Sequence, residues 1–178
     1  MSDYDFASKV ISIPDYPEPG VIFKDITPLF SDAETFAALV DDFANHFADK
    51  GITKVIGAEA RGFLIGPPVA YKLGAGFIPA RKPGKLPREV YSESYALEYG
   101  TDELQIHKDA LEPGDKVLIV DDLIATGGTA VAMGRLAQRG GAEVVGFSFI
   151  MELAFLNPRG IMAKDFGDRE IYTIIKVE

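Results

Sequence analysis

The sequence predicts an α/β fold with a mostly parallel central sheet flanked by helices. Short apolar runs recur at 54–59, 76–80, 116–120, 143–150 and 170–177. Helix-patterned stretches separate these runs, whereas an α+β chain would cluster them. The run KVLIV at 116–120 holds four branched aliphatics in five residues, as suits a strand covered on both faces.

The segment SDAETFAALVDDFANHFADKG opens on a capping box, Ser31 with Glu34, and places Phe36, Leu39, Val40, Phe43 and Phe47 on one helical stripe. It stops at Gly51, a normal C-terminal signal. A strand at 54–59, a helix at 63–73 and a strand at 76–80 give a βαβ rhythm. A loop containing proline and glycine follows from Arg81, then two runs, VYSESYALE and DELQIHKDA, that form a hairpin, and a turn at Glu112-Pro113-Gly114-Asp115. After the strand at 116–120, DDLIATGGT reads as a loop, 130–139 as a helix ending at Gly140-Gly141, and 143–150 and 170–177 as further strands. With 178 residues, no internal repeat and no linker, the chain is expected to form one domain, 1–178.

Composition removes several classes of function. The chain has no cysteine, which excludes disulfides, thiolate metal sites and a cysteine nucleophile. His46 and His107 are isolated, without zinc-like spacing, and are expected to be surface or satisfied polar residues. A net charge of −9 argues against nucleic acid or an anionic membrane as partner. The opening MSDYDFASKV has no apolar stretch of signal-peptide length and no later run is long enough to cross a bilayer, so a cytoplasmic location is expected. Against this acidic background RKPGKLPR gathers Arg81, Lys82, Lys85 and Arg88 with no acid between them, so an anionic ligand would be held locally.

The segment LIVDDLIATGGTA, 118–130, carries the strongest chemical signal. Ligands of open α/β sheets bind beyond the carboxyl ends of strands, which puts Asp121 and Asp122 at the mouth of a site. Thr126-Gly127-Gly128-Thr129 can fold its backbone N–H groups around a phosphate at a helix N-terminus. Adjacent carboxylates would repel that phosphate. The vicinal hydroxyls of a ribose, two donors, would satisfy them.

The full string resembles the phosphoribosyl pyrophosphate signature of the type I phosphoribosyltransferases. PGVIFKDITPLF, EARGFLIGPPVA and RKPGKLPREVYSESYALEYGTDELQIHKDAL are similar, in order and spacing, to stretches of the adenine phosphoribosyltransferase family. The resemblance covers most of the chain up to about Ile150. It implies the type I phosphoribosyltransferase fold, with a hood over the base at 1–30 and a flexible hairpin loop. The implied reaction is the purine-salvage transfer of the phosphoribosyl group of phosphoribosyl pyrophosphate to adenine, forming AMP and pyrophosphate. Residue by residue, it assigns Asp121 and Asp122 to the ribose hydroxyls and Ala125, Thr126, Gly127, Gly128 and Thr129 to the 5′-phosphate. Ala60 and Arg61, with the closing loop of Arg81, Lys82 and Lys85, fall to pyrophosphate. Glu98 is the catalytic glutamate, and Tyr99 belongs to the closing segment. Tyr91 and Tyr95 gain nothing from the resemblance and read as ordinary strand residues. Ile22, Phe23 and Lys24 would clamp adenine, with Leu123 on its opposite face. Lys24 replaces the family's common arginine, which puts any planar side-chain contact in doubt. Ile124 is a mild apolar change from the common leucine. Magnesium held mainly by the substrate, no metal ligated by the protein alone, and a homodimer are also implied.

Three alternative functions fit the sequence less well. Another purine base would change the hood. A regulator that senses the same sugar while binding DNA would need a basic module, whereas the residues before 54 are mostly acidic or apolar. A nucleotide kinase would need a Walker A or Gly-x-Gly-x-x-Gly string, and neither occurs.

Overall fold

The computed structural model describes residues 4–96 and 100–178. Its centre is a five-stranded, wholly parallel sheet in the order β4-β3-β7-β8-β9. These strands are β3 (Lys54–Ala58), β4 (Gly76–Ala80), β7 (Lys116–Ile124), β8 (Glu143–Leu153) and β9 (Glu170–Val177). Two antiparallel ribbons stand apart from it. One pairs β1 (Ile11–Pro14) with β2 (Ile22–Asp25); the other pairs β5 (Val90–Ala96) with β6 (Thr101–His107). The helices are α1 (Pro28–Ser31), α2 (Ala33–Phe47), α3 (Gly62–Leu73), α4 (Gly128–Arg139) and α5 (Pro158–Phe166).

Both faces of the sheet are buried, as its apolar strands require. In β7, Val117 and Ile119 join one core with Met133 and Leu136 of α4, while Leu118 and Val120 join the other with Leu39 and Phe43 of α2 and Ile65 of α3. Leu104 and Ile106 of β6 complete the first core. The Arg81–Gln105 bridge fastens that hairpin beside the end of β4.

Several boundaries differ from the sequence reading. The cap of α2 is Asp32, not Ser31: its carboxylate accepts from the Thr35 N–H at 2.8 Å, while Ser31 closes α1. Gly51, with φ of 68°, ends this region as expected, after a short 3-10 turn at Ala48–Lys50. The segment 121–124 is strand, not loop. β8 runs on to Leu153 and supplies backbone partners through the pair Ile124 and Glu152. Helix α4 starts at Gly128, earlier than expected, and α5 was not anticipated. His46 is satisfied by Glu170 at 2.7 Å and stacks on Tyr172, but His107 Nε2 is buried with no hydrogen-bond partner among the described residues, against expectation.

Candidate active site

A cavity of about 440 Å³ opens at the carboxyl ends of β3 and β7. The loop before α3, the last residues of β7, the start of α4 and the inner side of the β5–β6 hairpin form its walls. The parallel topology dictates this placement, because every strand of the sheet delivers its C-terminal residues to the same edge.

Asp121 and Asp122 lie at this edge, 8% and 5% exposed. Asp121 Oδ1 accepts the Asp122 N–H at 2.9 Å and sits against Gly62, where an added Cβ would come within 2.8 Å of that oxygen. Burial, and next the Asp122 charge, push the Asp121 carboxyl well above the ordinary carboxylate range. Asp122 Oδ2 lies 2.9 Å from Arg61 Nε, near enough for an ion pair. That contact lacks hydrogen-bond alignment, so this buried oxygen has no hydrogen-bond donor among the described residues.

Next along the chain, Ala125, Thr126, Gly127, Gly128 and Thr129 line the same cavity. Gly127 has φ of 89°, a left-handed conformation that glycine adopts without steric cost, and it is the N-cap of α4. The first N–H groups of a helix lack intrahelical acceptors, so the turn presents donors and the positive end of the helix dipole to the cavity.

On the far wall Glu59 accepts the Lys82 N–H at 2.6 Å and Arg81 Nη2 at 3.4 Å. Burial raises the Glu59 carboxyl, but these two donors outweigh it and hold the group below its usual value. Lys82 Nζ is paired with the Asp102 carboxylate, which also accepts the Tyr95 hydroxyl at 3.2 Å. Glu59, Tyr95 and Asp102 were missed by sequence reasoning. Glu59 adjoins the recognised Ala60-Arg61 pair and was the one within reach of a signal.

Of the predicted site residues, Ala60, Arg61, Lys82, Asp121, Asp122, Leu123 and the 125–129 turn share the cavity. Arg81 turns to Glu59 and to the Lys85 carbonyl, and Lys85 is exposed; neither lines it. Arg88 pairs with Asp109 on the surface at 3.0 Å. Ile22, Phe23 and Lys24 lie in β2, outside the cavity lining; Phe23 packs edge-on to Tyr16 and Lys24 Nζ bonds Ser12 Oγ at 2.7 Å. Glu98 and Tyr99 lie outside the described residues.

Residues 30–178 match the phosphoribosyl transferase domain family. The chain is 58% identical over 149 residues to an adenine phosphoribosyltransferase of Aeromonas salmonicida, a match covering 84% of this chain and 82% of that one. Its fold is similar to the crystal structure of adenine phosphoribosyltransferase from Rhodothermus marinus, with a TM-score of 0.89, 46% identity, and 97% and 96% of the two chains covered. It is also similar to the Saccharomyces cerevisiae enzyme complexed with an imino-altritol bisphosphate and adenine, with a TM-score of 0.88, 39% identity, and 95% and 96% covered.

Proposed function

This chain belongs to the adenine phosphoribosyltransferase family, and from that premise we propose how its cavity carries out the family's reaction. The protein transfers the phosphoribosyl group of phosphoribosyl pyrophosphate to adenine, forming AMP and pyrophosphate, a step of purine salvage. The observation that carries the site assignment is the buried, donor-less Asp122 Oδ2 beside the Gly127–Gly128 turn. An acceptor without a donor takes a ribose hydroxyl, and the N–H-rich turn takes the 5′-phosphate of the same sugar. Asp121 supports the ribose site from behind by fixing the Asp122 backbone.

Arg61 and Lys82, with Ala60 beside Arg61, line the cavity where they would meet the leaving pyrophosphate, and the loop of Arg81 and Lys85 would close over it. As the C1–O bond breaks, its electron pair leaves with pyrophosphate, and these cations stabilise the growing charge. Adenine N9 supplies the new bond to C1, with Leu123 against one face of the base and Ile22, Phe23 and Lys24 closing on the other. Glu98 assists proton movement on the imidazole side of adenine.

Among the described residues no cluster of three or more His, Asp or Glu side chains could hold a metal ion. Two cavity carboxylates already face cations of this chain, Glu59 with Arg81 and Asp102 with Lys82. Magnesium held mainly by the substrate would supply charge neutralisation beside these residues. One domain spans 1–178 with its hood at 1–30, and the protein works in the cytoplasm as a homodimer. No helix of the described residues is long and apolar enough to cross a membrane.

Initial rates with phosphoribosyl pyrophosphate, magnesium and each natural purine base test this reading. Adenine offers an acceptor at N1 and a donor at its amino group; hypoxanthine reverses both. Backbone groups built for one edge meet like with like on the other, so adenine should be favoured by roughly 10⁴-fold in kcat/KM. Lys24→Ala should change that ratio only modestly, because main-chain groups of the hood do the reading. Comparable use of adenine and hypoxanthine would overturn the base assignment.

A further inference from the structure

Asp102 lies in a family-like stretch that assigns it no role, yet it lines the cavity and its bonding is nearly saturated. Its Oδ2 accepts from Lys82 Nζ and from the Tyr95 hydroxyl at 3.2 Å, and its Oδ1 accepts the Glu103 N–H at 2.8 Å. Burial works against the Lys82 ammonium, but the Asp102 and Tyr95 bonds more than offset it and hold its pKa above the usual lysine value. The Lys82 bond is also the main reason that the Asp102 carboxyl stays below its ordinary range, so both partners remain charged. Tyr95 reaches onward to the phosphate turn: a Cβ on Gly128 would stand 3.2 Å from the Tyr95 ring. Asp102 thus joins the basic loop to the turn across the cavity.

We propose that Asp102 is the resident counter-ion of the pyrophosphate subsite, holding Lys82 when pyrophosphate is absent and yielding it when pyrophosphate binds. Pyrophosphate release is then an exchange of anions at Lys82, with the carboxylate reclaiming the ammonium as the product departs. A bare lysine would keep the product longer. Asp102 acts through Lys82 and is a positioning residue. The proposal rests on the reading that Lys82 meets pyrophosphate.

Asp102→Asn removes the charge at constant size: the amide oxygen can still accept from Lys82 and Tyr95, at the loss of the bond from the Glu103 N–H. Calorimetric titration with magnesium pyrophosphate should show Asp102→Asn binding about tenfold tighter than the unaltered protein, equivalent to about 1.4 kcal/mol. The KM for phosphoribosyl pyrophosphate should fall with it, and AMP affinity should stay unchanged. Asp102→Glu should restore the original pyrophosphate affinity. Lys82→Ala should weaken pyrophosphate binding, and adding Asp102→Asn to it should give no gain. No tightening in Asp102→Asn, or an equal gain without Lys82, overturns the proposal, the second because it marks a general field effect. If Lys82→Ala leaves pyrophosphate affinity intact while the unaltered protein still makes AMP, the role of Lys82 falls and this proposal with it, but adenine transfer stands.

Discussion

At Asp121 the carboxyl group is packed against Gly62, accepts its neighbour's N–H and lies beside the Asp122 charge. Its folded pKa is raised above the value of about 3.9 expected in an unfolded chain. Between those two values the folded protein binds more protons than the unfolded one, so this group makes stability fall as pH rises through that window. Asp121→Asn removes the penalty. Thermal unfolding should show the variant gaining on the unaltered protein as pH rises above about 4, by about 2–4 °C for each kcal/mol relieved. A difference that does not change with pH would refute this account of Asp121. The acid pair was legible in the sequence because it ends an apolar strand. Tyr95 and Asp102 were not, since they meet Lys82 only through the hairpin register that sets Tyr95 opposite Asp102 and Arg81 opposite Gln105.

The β5–β6 hairpin and α4 act as joined elements. Glu93 of β5 faces Arg135 at 3.1 Å and Arg139 at 3.8 Å, while Arg139 also donates to the Ser92 carbonyl and lies 5.2 Å over the Tyr91 ring. The helix therefore presents the phosphate turn at one end and grips the wall that carries Tyr95 further along. Arg135 is 43% exposed, so its pairing with Glu93 is discounted for solvent and contributes about 0.2–1 kcal/mol. In Arg135→Met, hydrogen exchange of β5 and β6 amides should quicken by up to about fivefold while the sheet strands keep their protection. Unchanged protection in the hairpin would show that the grip lies elsewhere. The kinds and order of these elements follow from the hydrophobic period, whereas their ends depend on partners. β7 continues through both acids because β8 pairs with it. Asp32 displaces Ser31 as a cap because its carboxylate also accepts the Thr35 hydroxyl, at 2.6 Å. Helix α5 escaped notice because only Pro158, Met162 and Phe166 are buried, and Asn157-Pro158 and Gly160 read as turn chemistry.

Across the whole molecule the sheet buries both faces, yet α3 shows an apolar stripe to solvent, with Leu64 46% and Tyr71 88% exposed two turns apart. This stripe lies on the helix that follows Arg61, and in the proposed homodimer it is the face of α3 that a second copy would cover. Sedimentation should give the mass of two chains for the unaltered protein and shift toward one chain in Tyr71→Glu; a one-chain mass in the unaltered protein would remove the dimer. The sequence alone leaves such a surface unread, because an apolar residue on a helix reads as core until the other side of that helix is known to be covered. The contact between Gly62 and Asp121 has a consequence for how the chain can vary. Position 62 opens α3 and position 121 lies in the central strand, but a methyl group at 62 would meet the Asp121 carboxylate at 2.8 Å. Alanine at 62 would push the Asp121 carboxylate from its place, and with it the bond that this carboxylate accepts from the next backbone amide. The first turn of α3 and the end of the central strand are thereby coupled, so a change of side-chain size at one position is felt at the other.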